Sequence, residues 1–127
     1  MNRRILLVDD ERYTLLLMKR SLRDLQEEHE DVEILTASDG EQALDIITTE
    51  RPTLVYLDLM MPRVGGLEVC RKVKGELGMQ DVHIVILTAM GQQVDKQRAQ
   101  EVGADLYLTK PFDPDTVLAI AKDVLGL

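Results

Sequence analysis

Short apolar runs alternate with stretches of helical periodicity along the whole chain. Ile5 to Val8, Leu54 to Leu57 and Ile84 to Leu87 are continuous runs of strand length, as expected of strands buried on both faces of a parallel sheet. Val32 to Ala37 is broken by Glu33 and Thr36, which predicts a half-exposed strand at a sheet edge. Leu106 to Leu108 supplies a fifth strand. Between them the period changes. Leu15, Met18, Leu22 and Leu25 form one stripe at three- and four-residue spacing, which predicts an amphipathic helix. Ser38 with Glu41 resembles a capping box opening a helix with Ala43, Leu44 and Ile47 inward. That helix is expected to end near Arg51-Pro52, because the residue before proline avoids helical geometry. Leu67, Cys70, Val73 and Leu77 mark a third inward stripe. Gln92 to Val102 reads as a helix with few inward candidates, Val94, Ala99 and Val102, and so with little anchoring. Asp113 caps the last helix with Pro114 at its first position, followed by Val117, Leu118, Ala121, Val124 and Leu125. Five strands alternating with five helices define an α/β chain with helices on both faces of a parallel sheet. Right-handed crossovers prune the possible strand orders without choosing one.

Length and charge narrow the function. The 127 residues suit one domain with one sheet. Lys and Arg number 15 against 23 Asp and Glu, a formal net charge of -8, so the surface repels nucleic-acid backbones and anionic lipid. Direct nucleic-acid binding is not expected. Arg3 and Arg4 precede an apolar run too short for a signal-peptide core, and no later run could span a bilayer. A single cysteine, Cys70, excludes an internal disulfide and reads as a small core residue in a reducing, cytoplasmic setting.

The chemistry lies at the ends of the strands. Asp9-Asp10 follow the first, Asp58 the third, Thr88 the fourth and Lys110 the fifth. Taken singly these are helix caps, a loop carboxylate, a strand-end hydroxyl and a solvated charge. In a parallel sheet all four ends share one edge, where open α/β sheets bind ligands. Three carboxylates meeting there repel unless protonated or neutralised by a cation. Oxygen donors and a hard charge point to Mg²⁺, which takes one or two carboxylates and a phosphate oxygen.

The stretches Ile5-Leu6-Leu7-Val8-Asp9-Asp10-Glu11, Val55-Tyr56-Leu57-Asp58-Leu59-Met60-Met61-Pro62, Leu87-Thr88-Ala89 and Leu108-Thr109-Lys110-Pro111-Phe112 resemble, in order and spacing, the motifs of the two-component response-regulator receiver domain. The resemblance covers nearly the whole chain. It implies a flavodoxin-like, doubly wound sheet of order 2-1-3-4-5 and a single receiver over residues 1-127 with no output domain. The alternative it leaves is a receiver cut from a longer regulator with a DNA-binding or enzymatic output domain. It further implies that Asp58 accepts a phosphoryl group from a histidine kinase or phosphotransfer protein and signals to a downstream target. A phosphorylation-dependent dimer is compatible with it. By the same match Mg²⁺ is held by Asp10, Asp58 and the Met60 backbone carbonyl, with Asp9 acting mainly through water. Thr88, Lys110 and the Ala89 N–H contact phosphoryl oxygens, the Lys110-Pro111 bond is cis, and Tyr107 turns inward as Thr88 moves toward the phosphate. Met60 and Met90 flank the path of a water attacking the acyl phosphate. Thioethers orient water poorly, so a long-lived phosphorylated state is expected. The demands of phosphoryl transfer agree, since in-line positioning and cancellation of charge on the equatorial oxygens need a metal and an ammonium but no covalent work beyond the acceptor.

Departures and rivals sharpen the reading. Gly65 stands where many relatives have an aspartate, which alters a turn rather than the site. The winged-helix transcription-factor subfamily pairs acidic residues before the tyrosine of strand five with a basic residue in the last helix. Here Asp105 is followed by Leu106, and the last helix runs Thr116-Val117-Leu118-Ala119-Ile120-Ala121-Lys122, which argues against that dimer. An aspartyl-phosphate phosphatase of the haloacid dehalogenase type needs a second aspartate two residues after the first. Met60 occupies that place and cannot transfer a proton. A flavin phosphate loop after the first strand would meet the repulsion of Asp9-Asp10-Glu11. The chain is therefore expected to be a regulator that catalyses only its own phosphorylation and dephosphorylation.

Overall fold

The three continuous apolar runs occupy the middle of a five-stranded parallel sheet, in a computed structural model that describes residues 2–89 and 94–127. Strands β1 (Arg4–Val8), β2 (Glu33–Ala37), β3 (Leu54–Asp58), β4 (His83–Ala89) and β5 (Leu106–Lys110) lie in the order β2-β1-β3-β4-β5. Alternation of side chains splits the core into two layers. Leu6, Val8, Val55, Leu57, Ile84 and Ile86 face one helical layer, and Ile5, Leu7, Leu54, Tyr56, Val85 and Leu87 face the other. Each such fully buried side chain stabilises the fold by roughly 1.5–3 kcal/mol relative to exposure. The Tyr56 hydroxyl, buried with its ring, donates to the Val117 carbonyl at 2.6 Å. The outer strands β2 and β5 are only partly buried, as their interrupted or short apolar runs require.

Helices α1 (Arg12–Ser21), α2 (Arg23–Glu28) and α6 (Pro114–Leu125) supply Met18, Leu25, Val117, Ala121 and Leu125 to one layer, with Leu22 from the junction of the first two. Helices α3 (Gly40–Glu50), α4 (Gly66–Arg71) and α5 (Val94–Glu101) supply Ala43, Ile47, Val69, Cys70 and Ala99 to the other. The first helix thus breaks at Leu22, whose backbone leaves helical geometry (φ -102°, ψ 1°), so that among the described residues six α-helices stand where five were expected. Gln92, Gln93 and Met90 lie outside the described residues, and α5 is described from Val94. Asp113 caps α6 as expected, accepting from the Asp115 N–H at 2.9 Å.

Two further expectations are corrected. The cap of α3 is Asp39, not Ser38: its carboxylate accepts from the Gln42 N–H at 2.8 Å, while Gln42 Oε1 accepts from the Ser38 N–H at 2.7 Å. The pattern moves one residue downstream with Gln42 in place of Glu41, but its return bond goes to Ser38, the residue before the cap, and not to the cap N–H of a capping box. Leu77 is not inward but 50% exposed. Helix α4 runs into a π-helical turn, Lys72–Glu76, closed by the Leu77 N–H on the Lys72 carbonyl at 2.8 Å. The extra residue in that turn rotates Leu77 off the inward stripe, and Met79 takes the core position instead.

Candidate functional site

Each site residue is placed by the end of a strand. Asp9 follows β1, fully buried; its N–H donates to the Ala37 carbonyl at 3.2 Å and its Oδ1 accepts from the Glu11 N–H at 2.9 Å. Asp10 beside it is exposed. Asp58 closes β3 opposite Leu87, buried, and the next N–H, from Leu59, donates to the Leu87 carbonyl at 2.8 Å. Glycine is required nearby, because a Cβ on Gly66 would overlap the Asp58 carbonyl oxygen. Thr88 is buried near the end of β4, and Ala89 pairs in register with Lys110 on β5. The Lys110-Pro111 bond is cis. Lys110 Nζ lies 2.8 Å from Asp9 Oδ2 and 3.2 Å from Asp58 Oδ1, bridging the two buried carboxylates.

The charges are unequal. One oxygen from each of Asp9, Asp10 and Asp58 lies within 4.8 Å of the others, three negative charges against the one ammonium. Burial first, then the Asp9 charge, pushes the Asp58 carboxyl up to about 6. The Lys110 charge and hydrogen bond counter that rise, and Asp10 adds a smaller push upward. Burial acts to lower the Lys110 pKa, but the hydrogen bond to Asp9 and the charges of Asp58 and Asp9 outweigh it, and the net direction is upward. Lys110 thus stands where positive charge is needed. An all-oxygen, triply anionic donor set around that place fits a divalent metal ion.

Asp9, Asp10, Asp58 and Lys110 are therefore brought together as expected, with Thr88 and Ala89 at the adjoining strand end. Met60 lies in the loop after β3 and is 66% exposed. Tyr107 is half-buried opposite Ile86, packed on the layer that holds α3, α4 and α5. Met90 lies outside the described residues. Sequence reasoning missed Lys74, which is 5% exposed and pairs with Asp105 at 3.0 Å. Its place on the stripe of Cys70 and Val73 was the available signal.

Fold and site together define a doubly wound α/β protein with a cation-seeking acidic edge. The chain belongs to the response regulator receiver domain family, whose model matches residues 5–122. It is 42% identical over 125 residues to the alkaline phosphatase synthesis transcriptional regulatory protein PhoP of Bacillus subtilis, across 98% of this chain and 49% of that protein. Against the response regulator MprA of Mycobacterium tuberculosis it is 39% identical, across 98% of this chain and 51% of that one. The chain thus spans about half the length of these curated relatives. Among solved structures it resembles the BeF3-activated DrrB receiver domain (TM-score 0.84, 31% identity, all of both chains). It also resembles the chemotaxis response regulator CheY4 of Vibrio cholerae (TM-score 0.82, 29% identity, 98% of this chain and 99% of that one). The acidic cluster Asp9, Asp10 and Asp58 is of the kind that forms the phosphoaspartate site in this family, whose members catalyse only their own phosphorylation and dephosphorylation. No helix among the described residues is long and apolar enough to cross a membrane.

Proposed function

We propose that Asp58 is the phosphoacceptor of a Mg²⁺-dependent switch. A carboxylate oxygen of Asp58 attacks the phosphorus of a phosphohistidine, on a histidine kinase or phosphotransfer protein. The P–O bond forms as the P–N bond breaks, and the imidazole leaves. The observation that carries this reading is the Lys110 ammonium held on both Asp9 and Asp58 at the sheet edge. That ammonium is already in place to accompany the charge of the incoming phosphoryl oxygens. Thr88 and the Ala89 N–H, at the end of the neighbouring strand, complete the phosphoryl contacts. Asp10, Asp58 and the Met60 carbonyl would hold Mg²⁺, with Asp9 acting through water; the ion would supply positive charge that offsets the three carboxylates. Tyr107, on the strand that carries Lys110, reports the phosphorylated state by turning inward to a downstream protein or output domain. The similarity to transcriptional regulators about twice as long as this chain supports a second reading of that output, a DNA-binding domain in the same protein.

Incubation with acetyl phosphate and Mg²⁺ should add one phosphoryl group per chain by intact-mass measurement. The adduct should be lost in Asp58→Ala; an unchanged yield rejects the assignment. Once the donor is removed, the adduct should disappear faster from Met60→Asn combined with Met90→Glu than from the parent. Equal decay rejects a role for the thioethers in slowing hydrolysis.

A further inference from the structure

The bend from β2 into α3 bears on both sides of the site. On one side the Ala37 carbonyl accepts from the Asp9 N–H at 3.2 Å. On the other, three residues later, Gly40 meets the loop after β3. A Cβ on Gly40 would overlap the Val64 carbonyl oxygen and lie 2.7 Å from the Val64 Cβ. That loop is tied at its base, where the Leu59 N–H reaches the Leu87 carbonyl at 2.8 Å and the Gly66 N–H reaches the Leu59 carbonyl at 3.0 Å. Between these ties, Val64 rests on the first turn of α3. Arg63, in left-handed backbone geometry (φ 68°), extends its guanidinium to Glu41 at 3.4 Å and Asp39 at 3.9 Å.

Glycine is a poorer helix former than alanine by about 1 kcal/mol in a helix interior. Gly40 carries no left-handed backbone angle, so what it provides is space. Its missing side chain lets the loop approach α3, and the Arg63 ion pairs hold the loop there. We propose that Gly40 and the Arg63–Glu41 pair form a positioning bracket that sets the affinity of the site for its divalent cation, by fixing the backbone of the loop that follows Asp58 and carries the Met60 carbonyl. The inference rests on the Mg²⁺ reading above. Neither residue touches the reacting atoms; both act through residues 60–64.

The test is calorimetric titration of the whole chain with Mg²⁺, alongside the Mg²⁺ dependence of acetyl phosphate labelling. Gly40→Ala should bind Mg²⁺ roughly tenfold more weakly, the size of effect seen when outer supports of a metal site are removed. The Mg²⁺ midpoint for labelling should move by the same factor, and the rate should return at saturating Mg²⁺. A merely structural defect would lower the rate at every Mg²⁺ concentration and leave the midpoint in place. Arg63→Ala, on an exposed side chain, should shift the affinity by about threefold, as fits an exposed ion pair. Gly75→Ala is the control, since a Cβ there meets nothing within 4 Å, and it should leave the affinity unchanged. Unchanged affinity in folded Gly40→Ala overturns the proposal; if that variant does not fold, unchanged affinity in Arg63→Ala does so. A parent chain that binds Mg²⁺ but takes no phosphoryl group would sink the phosphoacceptor reading instead, leaving the bracket to be judged by calorimetry.

Discussion

Asp58 carries a cost that the metal-free chain bears alone. Its carboxyl is pushed from 3.8 to about 6, by burial first and the Asp9 charge second. The folded state then holds the Asp58 proton between about pH 4 and 6, where the unfolded state has released it. Stability therefore falls as pH rises through that window and levels off above it. At 1.36 kcal/mol per pH unit the loss is on the order of 3 kcal/mol. Urea unfolding in EDTA should show the parent losing stability from pH 4 to 6.5 and Asp58→Asn losing distinctly less. Parallel profiles would mean that Lys110 fully compensates the charge. The carboxylates and Lys110 are legible in the sequence because a polar residue closing an apolar run stands out. Where Lys110 rests is not, since its contacts join residues 101 and 52 positions apart, and no local pattern encodes a choice between two aspartates.

At the level of elements, continuous apolar runs predict the central strands and interrupted ones predict an edge, because burial on two faces leaves no room for alternation. The π turn is illegible by the same logic. A stripe at three- and four-residue spacing presumes a regular helix, and the inserted residue that exposes Leu77 leaves no mark in the spacing. Lys74 lies inside that turn. Its ammonium meets Asp105 at 3.0 Å and the Gln80 carbonyl at 3.2 Å, and Asp105 Oδ2 also accepts from the Ile84 N–H at 2.8 Å. The pair ties the end of α4 to the starts of β4 and β5. It also commits Asp105 within the chain. Breaking a buried pair usually costs about 3–5 kcal/mol. The Asp105 side chain is 31% exposed and keeps the Ile84 N–H, so Lys74→Met should cost less, about 2 kcal/mol in urea unfolding. Adding Asp105→Asn should recover part of that loss. No recovery would show that the unpaired Asp105 carboxylate costs nothing, and that the lost bond from the Lys74 ammonium to the Gln80 carbonyl carries the effect.

For the whole molecule, the net charge of -8 and the crowded sheet edge would make the binding of a divalent ion and folding one linked equilibrium. Three close carboxylates suggest, from sequence, that removing any one would relieve the metal-free fold. The arrangement of charges points elsewhere. Lys110 already bridges Asp9 and Asp58, whereas Asp10 is exposed and its charge is the smallest of the influences on Asp58. In EDTA, Asp10→Asn should therefore change unfolding stability by less than about 0.5 kcal/mol, as expected for an exposed charge. Mg²⁺ that binds only the folded chain stabilises it by RT ln(1 + [Mg²⁺]/Kd), about 1.4 kcal/mol at a tenfold excess over Kd. The parent should show that gain at constant ionic strength, and Asp10→Asn should lose it. A variant that keeps the gain would remove Asp10 from the ligand set. A variant that instead rises by more than about 1 kcal/mol without metal would show that mutual repulsion of the carboxylates outweighs the Lys110 bridge, since one exposed charge in water contributes less than that.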